Sequence, residues 1–387
     1  MMRSVWLASR LAWRQLTHQP ARLASAVAGV VFACLLVFMQ LGFHDALFDS
    51  ATSTARAIRG DIMVFSRQSE TTSRTSGLPR ARLMQALADP DVARVTPVYL
   101  GQVIWKNPET TMRRSIMVLG ADPDSGVFAL EGVSAAAERL RQRDTLLFDV
   151  QSRPEYGPIG ERLARGATTV EVANRTTDVV GLFRLGASFA ADGNLLTSDV
   201  NFHRLVRDRT PDMLDVGAVF LKAGADVSRV KARLQHLLPD DVQVMTRDEF
   251  IASERAYWAN SAAIGFIFLF GVGMGLIVGF VIVYQILFTD VANHLSEYAT
   301  LKAMGYTDRY LLAVVFSEAL MLAALGFVPG LALAWWLFGI SAEATFLPML
   351  LRPDMAAFVF ALIFAMCAAS GAVAVRKLRD ANPADMF

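Results

Sequence analysis

Residues 23–43 read LASAVAGVVFACLLVFMQLGF, a run of 21 residues without one charged side chain. At about 1.5 Å of rise per residue, a helix of that length just crosses a hydrocarbon core about 30 Å thick. The run therefore predicts a membrane span. It is longer than the apolar core of a secretory signal, about 7 to 15 residues, and further apolar runs follow, so it reads as a retained anchor rather than a leader. Those runs extend from about Ser261 to Phe288, Tyr310 to Leu337 and Ala356 to Val375, which predicts four transmembrane helices, two of them long enough to tilt or to project beyond the bilayer.

Composition agrees with a chain that is partly membrane and partly water-soluble, with 54% hydrophobic and 19% charged residues. A formal net charge of +1 supplies no basic field for a phosphate backbone, so nucleic acid is not an expected partner. Orientation follows from short flanks. Arg3, Arg10, Arg14 and Arg22 precede the first span, and Arg376, Lys377 and Arg379 follow the fourth, which places both ends in the cytoplasm. The expected division is an amphipathic interfacial helix over 1–21, spans over 22–43, 259–289, 310–338 and 355–375, an outer domain over 44–258, an inner loop over 290–309, a short outer loop over 339–354 and a tail over 376–387. In the lead, Met2, Val5, Trp6, Ala12, Trp13 and Leu16 share one helical face beside the arginines, a pattern suited to membrane lipid at headgroup depth; a basic flank that only sets topology is the alternative.

The outer domain contains neither Cys34 nor Cys367, so it relies on its own core rather than on disulfides. Asp61–Ser66, Ala93–Trp105 and Arg114–Gly120 read as strands, with Leu83, Met84 and Leu87 at helical spacing between the first two. Near its far end, Val216–Leu221, Val227–Leu238 and Val242–Thr246 read as strand, helix and strand. The domain is thus an α+β lobe made from both ends of the segment, with an inserted β-rich lobe at about 140–200. Arg153–Pro158 reads as a turn within that insert.

Catalytic constellations are missing from the sequence. His18, His44, His203, His236 and His294 are scattered and form no H-E-x-x-H helix face, and no G-x-S-x-G elbow occurs. His44, Asp45 and Asp49 are the nearest approach to a metal cluster, but they continue the first span as a wetted helix end. Without a G-x-x-x-x-G-K-[ST] loop the chain has no means of cradling ATP phosphates, so nucleotide energy must come from another chain. No cofactor, metal or enzyme activity is expected of this chain alone. Gly271, Gly275 and Gly279 recur every fourth residue and place a smooth stripe on one helix face, where another helix approaches closely.

The inner loop carries Val291, Leu295, Tyr298 and Leu301 at near-helical spacing, with Gly305 placed to end the helix. A short amphipathic helix there has little of its own chain to bury against, so a cytosolic partner is its natural counterpart; a solvated elbow is the alternative. The run EYATLKAMGY over 297–306 resembles the coupling-helix signature of ABC-transporter permeases of the MacB, LolC and FtsX superfamily. Tyr257-Trp258, Gly265-Phe266-Ile267-Phe268, the glycine stripe, Val283-Tyr284-Gln285-Ile286-Leu287 and Asn382-Pro383-Ala384-Asp385-Met386-Phe387 resemble its DevC-type branch.

That resemblance implies a MacB-like architecture, membrane α-helical plus an α+β periplasmic domain, in a non-catalytic subunit that works as a homodimer in the bacterial inner membrane. It implies a separate ABC ATPase that binds ATP and Mg and docks on Leu295, Tyr298 and Leu301, with Glu297 and Lys302 adding polar contacts. It further implies mechanotransmission to the periplasm within a tripartite efflux system, with a membrane-fusion protein, a TolC-like outer-membrane channel and a lipid, glycolipid or other hydrophobic substrate. The alternative is an FtsX-like regulator of a periplasmic cell-wall enzyme that transports nothing. Glu318, about eight residues into the third span, is costly there unless paired, protonated or facing a wet interior. It reads either as a hydrogen-bonding residue at a helix or dimer interface or as a participant in transmission.

Overall fold

The computed structural model describes residues 10, 12–14, 17–18, 20–188, 191–207, 209–261, 264–293, 300, 304 and 308–380. They form two compact units. One gathers the described residues up to Asp45, Ile264–Ala344 and those from Met349 onward; the other gathers those from Ala46 to Ser261 together with Thr345–Pro348.

The first unit is a helix bundle. Its four long helices are α1 (Pro20–Ala51), α9 (Ile264–Asn293), α10 (Asp308–Thr345) and α11 (Pro353–Asp380), and each contains a stretch long and apolar enough to cross a membrane. Their outward side chains argue the same way, because Phe266, Leu269 and Trp335 are each about 70% exposed. In water such a surface would drive association, whereas against lipid tails it is at rest. Pro329 lies inside α10 and removes one hydrogen bond of its ladder, a defect that membrane helices tolerate when neighbours pack around it. Phe38, Phe327 and Phe360 link three helices, with ring centroids 6.1 and 5.0 Å apart. From the lead, Ala12 is fully buried and packs with Val314 of α10.

The second unit opens with α2 (Ser53–Ala57) and is dominated by one nine-stranded sheet system. Four strands form its first lobe: β1 (Ile62–Ser66), β3 (Val92–Lys106), β10 (Val216–Leu221) and β11 (Val242–Thr246), in the order β11-β1-β10-β3. Helix α3 (Arg80–Gln85) connects β1 to β3, and α7 (Val227–Leu237) connects β10 to β11. Two strand-helix-strand units interleaved in this order make the ferredoxin-like arrangement, assembled from the two ends of the segment. Asp226 starts α7 by accepting the amides of Ser228 at 3.0 Å and Arg229 at 3.2 Å. The short pair β2 (Leu78–Pro79) and β9 (Met213–Leu214) lies beside this lobe as a separate ladder.

The second lobe is inserted between β3 and β10. It contains β4 (Arg113–Gly120), α4 (Val133–Leu140), β5 (Thr145–Asp149), α5 (Ile159–Ala164), β6 (Thr169–Val172), β7 (Arg175–Phe183), β8 (Asn194–Thr197) and α6 (Asp199–Leu205). Its strands follow the order β3-β4-β8-β5-β7-β6, and β6 pairs back onto β3 through Trp105 with Val172 and Lys106 with Glu171. The ring is therefore a closed six-stranded barrel that leaves no free edge. Val103 and Trp105, Ile116 and Val118, Leu146 and Phe148, Val170 and Val172, Val179 and Leu195 belong to one buried cluster, which draws on all six strands. At its centre Trp105 Nε1 donates to the Tyr156 carbonyl at 3.0 Å, and the Tyr156 hydroxyl donates to the Ser115 carbonyl at 2.6 Å.

Strand β3 belongs to both lobes. Through Val98 it pairs with β10, and from Tyr99 it pairs with β4. A last helix, α8 (Arg247–Ser261), closes the unit and ends three residues before α9 begins at Ile264.

Candidate functional site

The inner-loop residues Leu295, Glu297, Tyr298, Leu301 and Lys302 lie outside the described residues. Their described neighbours bracket the loop. Helix α9 ends at Asn293, with Val291 buried; further on, the Met304 amide donates to the Thr300 carbonyl at 3.0 Å, and both of these residues are exposed.

The glycines lie where the helices of the bundle meet. A methyl group at Gly271 would overlap the amide of Gln40, one at Gly275 would stand 3.2 Å from Leu36 Cβ, and one at Gly279 would stand 2.5 Å from Ala33 Cβ and 2.7 Å from Met366 Sδ. All three thus face α1, and Gly279 also faces α11. Gly273, on the same helix, would meet nothing within 4 Å. The sequence reading missed a second set of close approaches: Gly326 against Val30, Gly330 against Cys34, Gly42 against Phe338, and Gly29 against Ile282. Gly326 and Gly330 carry the same four-residue spacing, so their signal was present in α10. Between α11 and α9, the Ser370 hydroxyl donates to the Met366 carbonyl at 2.9 Å and the Phe280 carbonyl at 3.2 Å. Glu318 is fully buried, next to Ala319, which a methyl at Gly371 of α11 would approach to 3.2 Å.

The acidic residues at the end of α1 are engaged in ordinary ion pairs. Asp45 takes a hydrogen bond from Arg352 at 2.7 Å and lies 3.0 Å from His44 Nδ1, and Asp49 takes one from Arg56 at 2.9 Å. Among the described residues, no three His, Cys, Asp or Glu side chains come together as a metal site.

Two buried carboxylates in the outer unit escaped the sequence reading. Glu254 of α8 accepts from the Thr72 amide at 2.9 Å, the Thr72 hydroxyl at 3.1 Å and Trp258 Nε1 at 3.3 Å. Asp215 accepts from the Thr75 hydroxyl at 2.5 Å, the Leu100 amide at 2.8 Å and Arg209 at 2.9 Å. Burial pushes both carboxyls above the ordinary carboxylate range, against the pull of those donors. Neither residue stands in a motif, and only the fold brings Thr72 to Glu254, and Thr75 and Leu100 to Asp215, across more than a hundred residues of sequence.

Comparison with known proteins assigns the chain to a family. Residues 23–237 match the MacB-like periplasmic core domain, and residues 263–383 match the FtsX-like permease C-terminal region. An uncharacterized ABC transporter permease protein of Mycobacterium tuberculosis is 23% identical over 346 residues, which cover 85% of this chain and 37% of that protein. The chain thus spans little more than a third of that relative's length. Among solved structures, the periplasmic region of MacB from Actinobacillus actinomycetemcomitans is 15% identical, with 51% of this chain and 94% of that one covered and a TM-score of 0.37. The extracellular domain of the transporter YknZ from Gram-positive bacteria is 16% identical, with 48% and 99% covered and a TM-score of 0.34. With the MacB-like match covering more than half of the chain and the FtsX-like match covering its last three long helices, this chain belongs to the MacB/FtsX/LolC-type permease superfamily.

Proposed function

We propose that the chain is the permease subunit of an ABC transporter of the DevC-type branch, working as a homodimer above a separate ATPase that binds ATP and Mg. The observation that carries this reading is the pair of family matches, which join an outer core domain to a permease helix region in one chain. In this reading the protein lies in the inner membrane with both termini cytoplasmic and the two-lobed domain in the periplasm. Nucleotide-driven closure of the ATPases moves the loop between α9 and α10; the long helices carry the motion outward, and the outer domain changes shape. Leu295, Tyr298 and Leu301 form the docking face, flanked by Glu297 and Lys302. The glycine stripe of Gly271, Gly275 and Gly279 supports the reading, because closely packed helices move as one body. Glu318, buried in α10, serves helix packing in this scheme. The expected setting is a tripartite efflux system with a membrane-fusion protein and a TolC-like channel, exporting a lipid, glycolipid or other hydrophobic substrate.

Replacing Tyr298 and Leu301 together with Asp puts two charges on the docking face without touching a span. Membrane insertion should persist while ATPase co-purification in mild detergent falls to background, and an unchanged pull-down removes the coupling assignment. Identification of the remaining co-purifying proteins separates the two uses of such a permease: a membrane-fusion protein supports export, and a cell-wall hydrolase supports an FtsX-like regulator.

A further inference from the structure

We propose that the hydroxyl-rich hairpin Gln68–Ser76 is a rigid strut that couples α8 to the point where β3 passes from the first lobe into the barrel, with Glu254 and Asp215 as its two anchors. The hairpin braces itself. Glu70 N donates to the Arg74 carbonyl at 3.2 Å, Arg74 N to the Thr71 carbonyl at 3.1 Å, and Ser76 N to Ser69 Oγ at 2.8 Å, whose hydroxyl returns to the Ser76 carbonyl at 3.1 Å. At one end Thr72 gives both its amide and its hydroxyl to Glu254, two bonds on one carboxylate that fix position and direction together. Tyr257, one turn further along α8, adds a second hold by donating to Glu70 at 3.1 Å and accepting from Arg74 at 3.4 Å. At the other end Thr75 donates to Asp215.

Asp215 grips β3 on both sides of its change of partner. Its amide donates to the Val98 carbonyl at 3.0 Å, and its carboxylate accepts the Leu100 amide at 2.8 Å, while Tyr99 between them is the first residue paired with β4. From Thr72 through Thr75 to Asp215 and β3, the path runs through short side chains and the backbone itself. Thr72 and Thr75 hold their hydroxyls one bond from Cβ, and Thr72, Glu254 and Asp215 are each at most 3% exposed, so water is kept from the Thr72–Glu254 and Leu100–Asp215 bonds. Beside the strut is a pocket of about 240 Å³ lined by Thr72, Thr75, Arg209, Leu100 and Gly101. A displacement of α8 thereby reaches the junction of the two lobes without passing through the sheet. The use of this coupling in transmission rests on the permease reading above.

The test is hydrogen–deuterium exchange of the segment Val98–Gln102 in the full-length protein in detergent, without nucleotide. Glu254→Gln loses one of the two acceptors for Thr72 and should speed exchange there about tenfold, and Thr75→Val should do the same. Because both cuts lie on one path, the double variant should exchange no faster than Thr75→Val alone. Wild-type exchange at Val98–Gln102 in Glu254→Gln, or two effects that multiply in the double variant, overturns the strut. Exchange in Ile62–Ser66 reports the fold, and if Glu254→Gln disturbs it, Thr72→Val replaces that variant. A second comparison with the ATPase bound, with and without ATP, judges the permease reading separately: if α8 does not respond to ATP, transmission fails, while the nucleotide-free comparison still decides whether the strut exists.

Discussion

Gly279 touches two neighbouring helices at once, since a methyl there would stand 2.5 Å from Ala33 Cβ on α1 and 2.7 Å from Met366 Sδ on α11. Gly273, less than two turns away, faces open space. The same substitution at both positions therefore separates close approach from helix propensity. Gly279→Val should destabilise the bundle by about 1 to 3 kcal/mol through overpacking, whereas Gly273→Val should change it by no more than about 0.5 kcal/mol. Thermal unfolding in one detergent checks both, and equal midpoints would remove the packing role. The four-residue period of Gly271, Gly275 and Gly279 is visible in the sequence because it depends on one helix only. Which side chains face it is a property of helix pairs, and so Gln40 and Ala33 gave no sign of their place. Gly29 and Gly42 were illegible for the same reason, each being a single glycine whose meaning lies on another helix.

At the scale of elements, the strand-helix-strand units at the two ends of the outer segment were legible, because β1, β10, β11 and α7 each carry their own periodicity. Barrel closure was not. It depends on the pairing of two residues of β6 with Trp105 and Lys106, and on one strand, β3, serving two sheets, neither of which leaves a local pattern. Charge pairs tie these elements together and predict how they respond to acid. Arg233 of α7 donates to Asp89 at 2.7 and 2.9 Å, and Arg204 of α6 donates to Asp144 at 2.7 and 3.0 Å; both guanidinium groups hold their carboxyls below the ordinary range. Since these folded values lie below the unfolded value of about 3.9, the stabilisation is fully present above that pH and is lost as pH falls through the folded values. Asp215 and Glu254, raised by burial, act with the opposite sign, so a single variant isolates one contribution. The urea midpoint of the wild-type outer domain, followed in the full chain, should drop below about pH 4. In Asp89→Asn the midpoint should be lower at neutral pH and its acid drop shallower, and parallel curves would remove Asp89 from the account.

For the whole molecule, the proposed direction of coupling depends on which side of the membrane holds the two-lobed domain. Basic residues concentrate before the first span and after the fourth, and the free energy of moving them across a membrane during insertion favours keeping them inside. The chain supplies a clean way to test this. Its only cysteines, Cys34 and Cys367, are buried in the bundle, so a membrane-impermeant maleimide should leave the wild type unlabelled. Glu109, exposed at the β3–β4 turn, and Asn293, exposed at the end of α9, mark the two sides. In spheroplasts Glu109→Cys should label at once, and Asn293→Cys only after the membrane is permeabilised. The reverse pattern would put the two-lobed domain in the cytoplasm and the loop after α9 outside, out of reach of any cytosolic ATPase, and the permease reading would fall with the orientation. Labelling of both without permeabilisation would mean that Asn293 is not shielded by the membrane, which is incompatible with α9 as a span joining the two compartments.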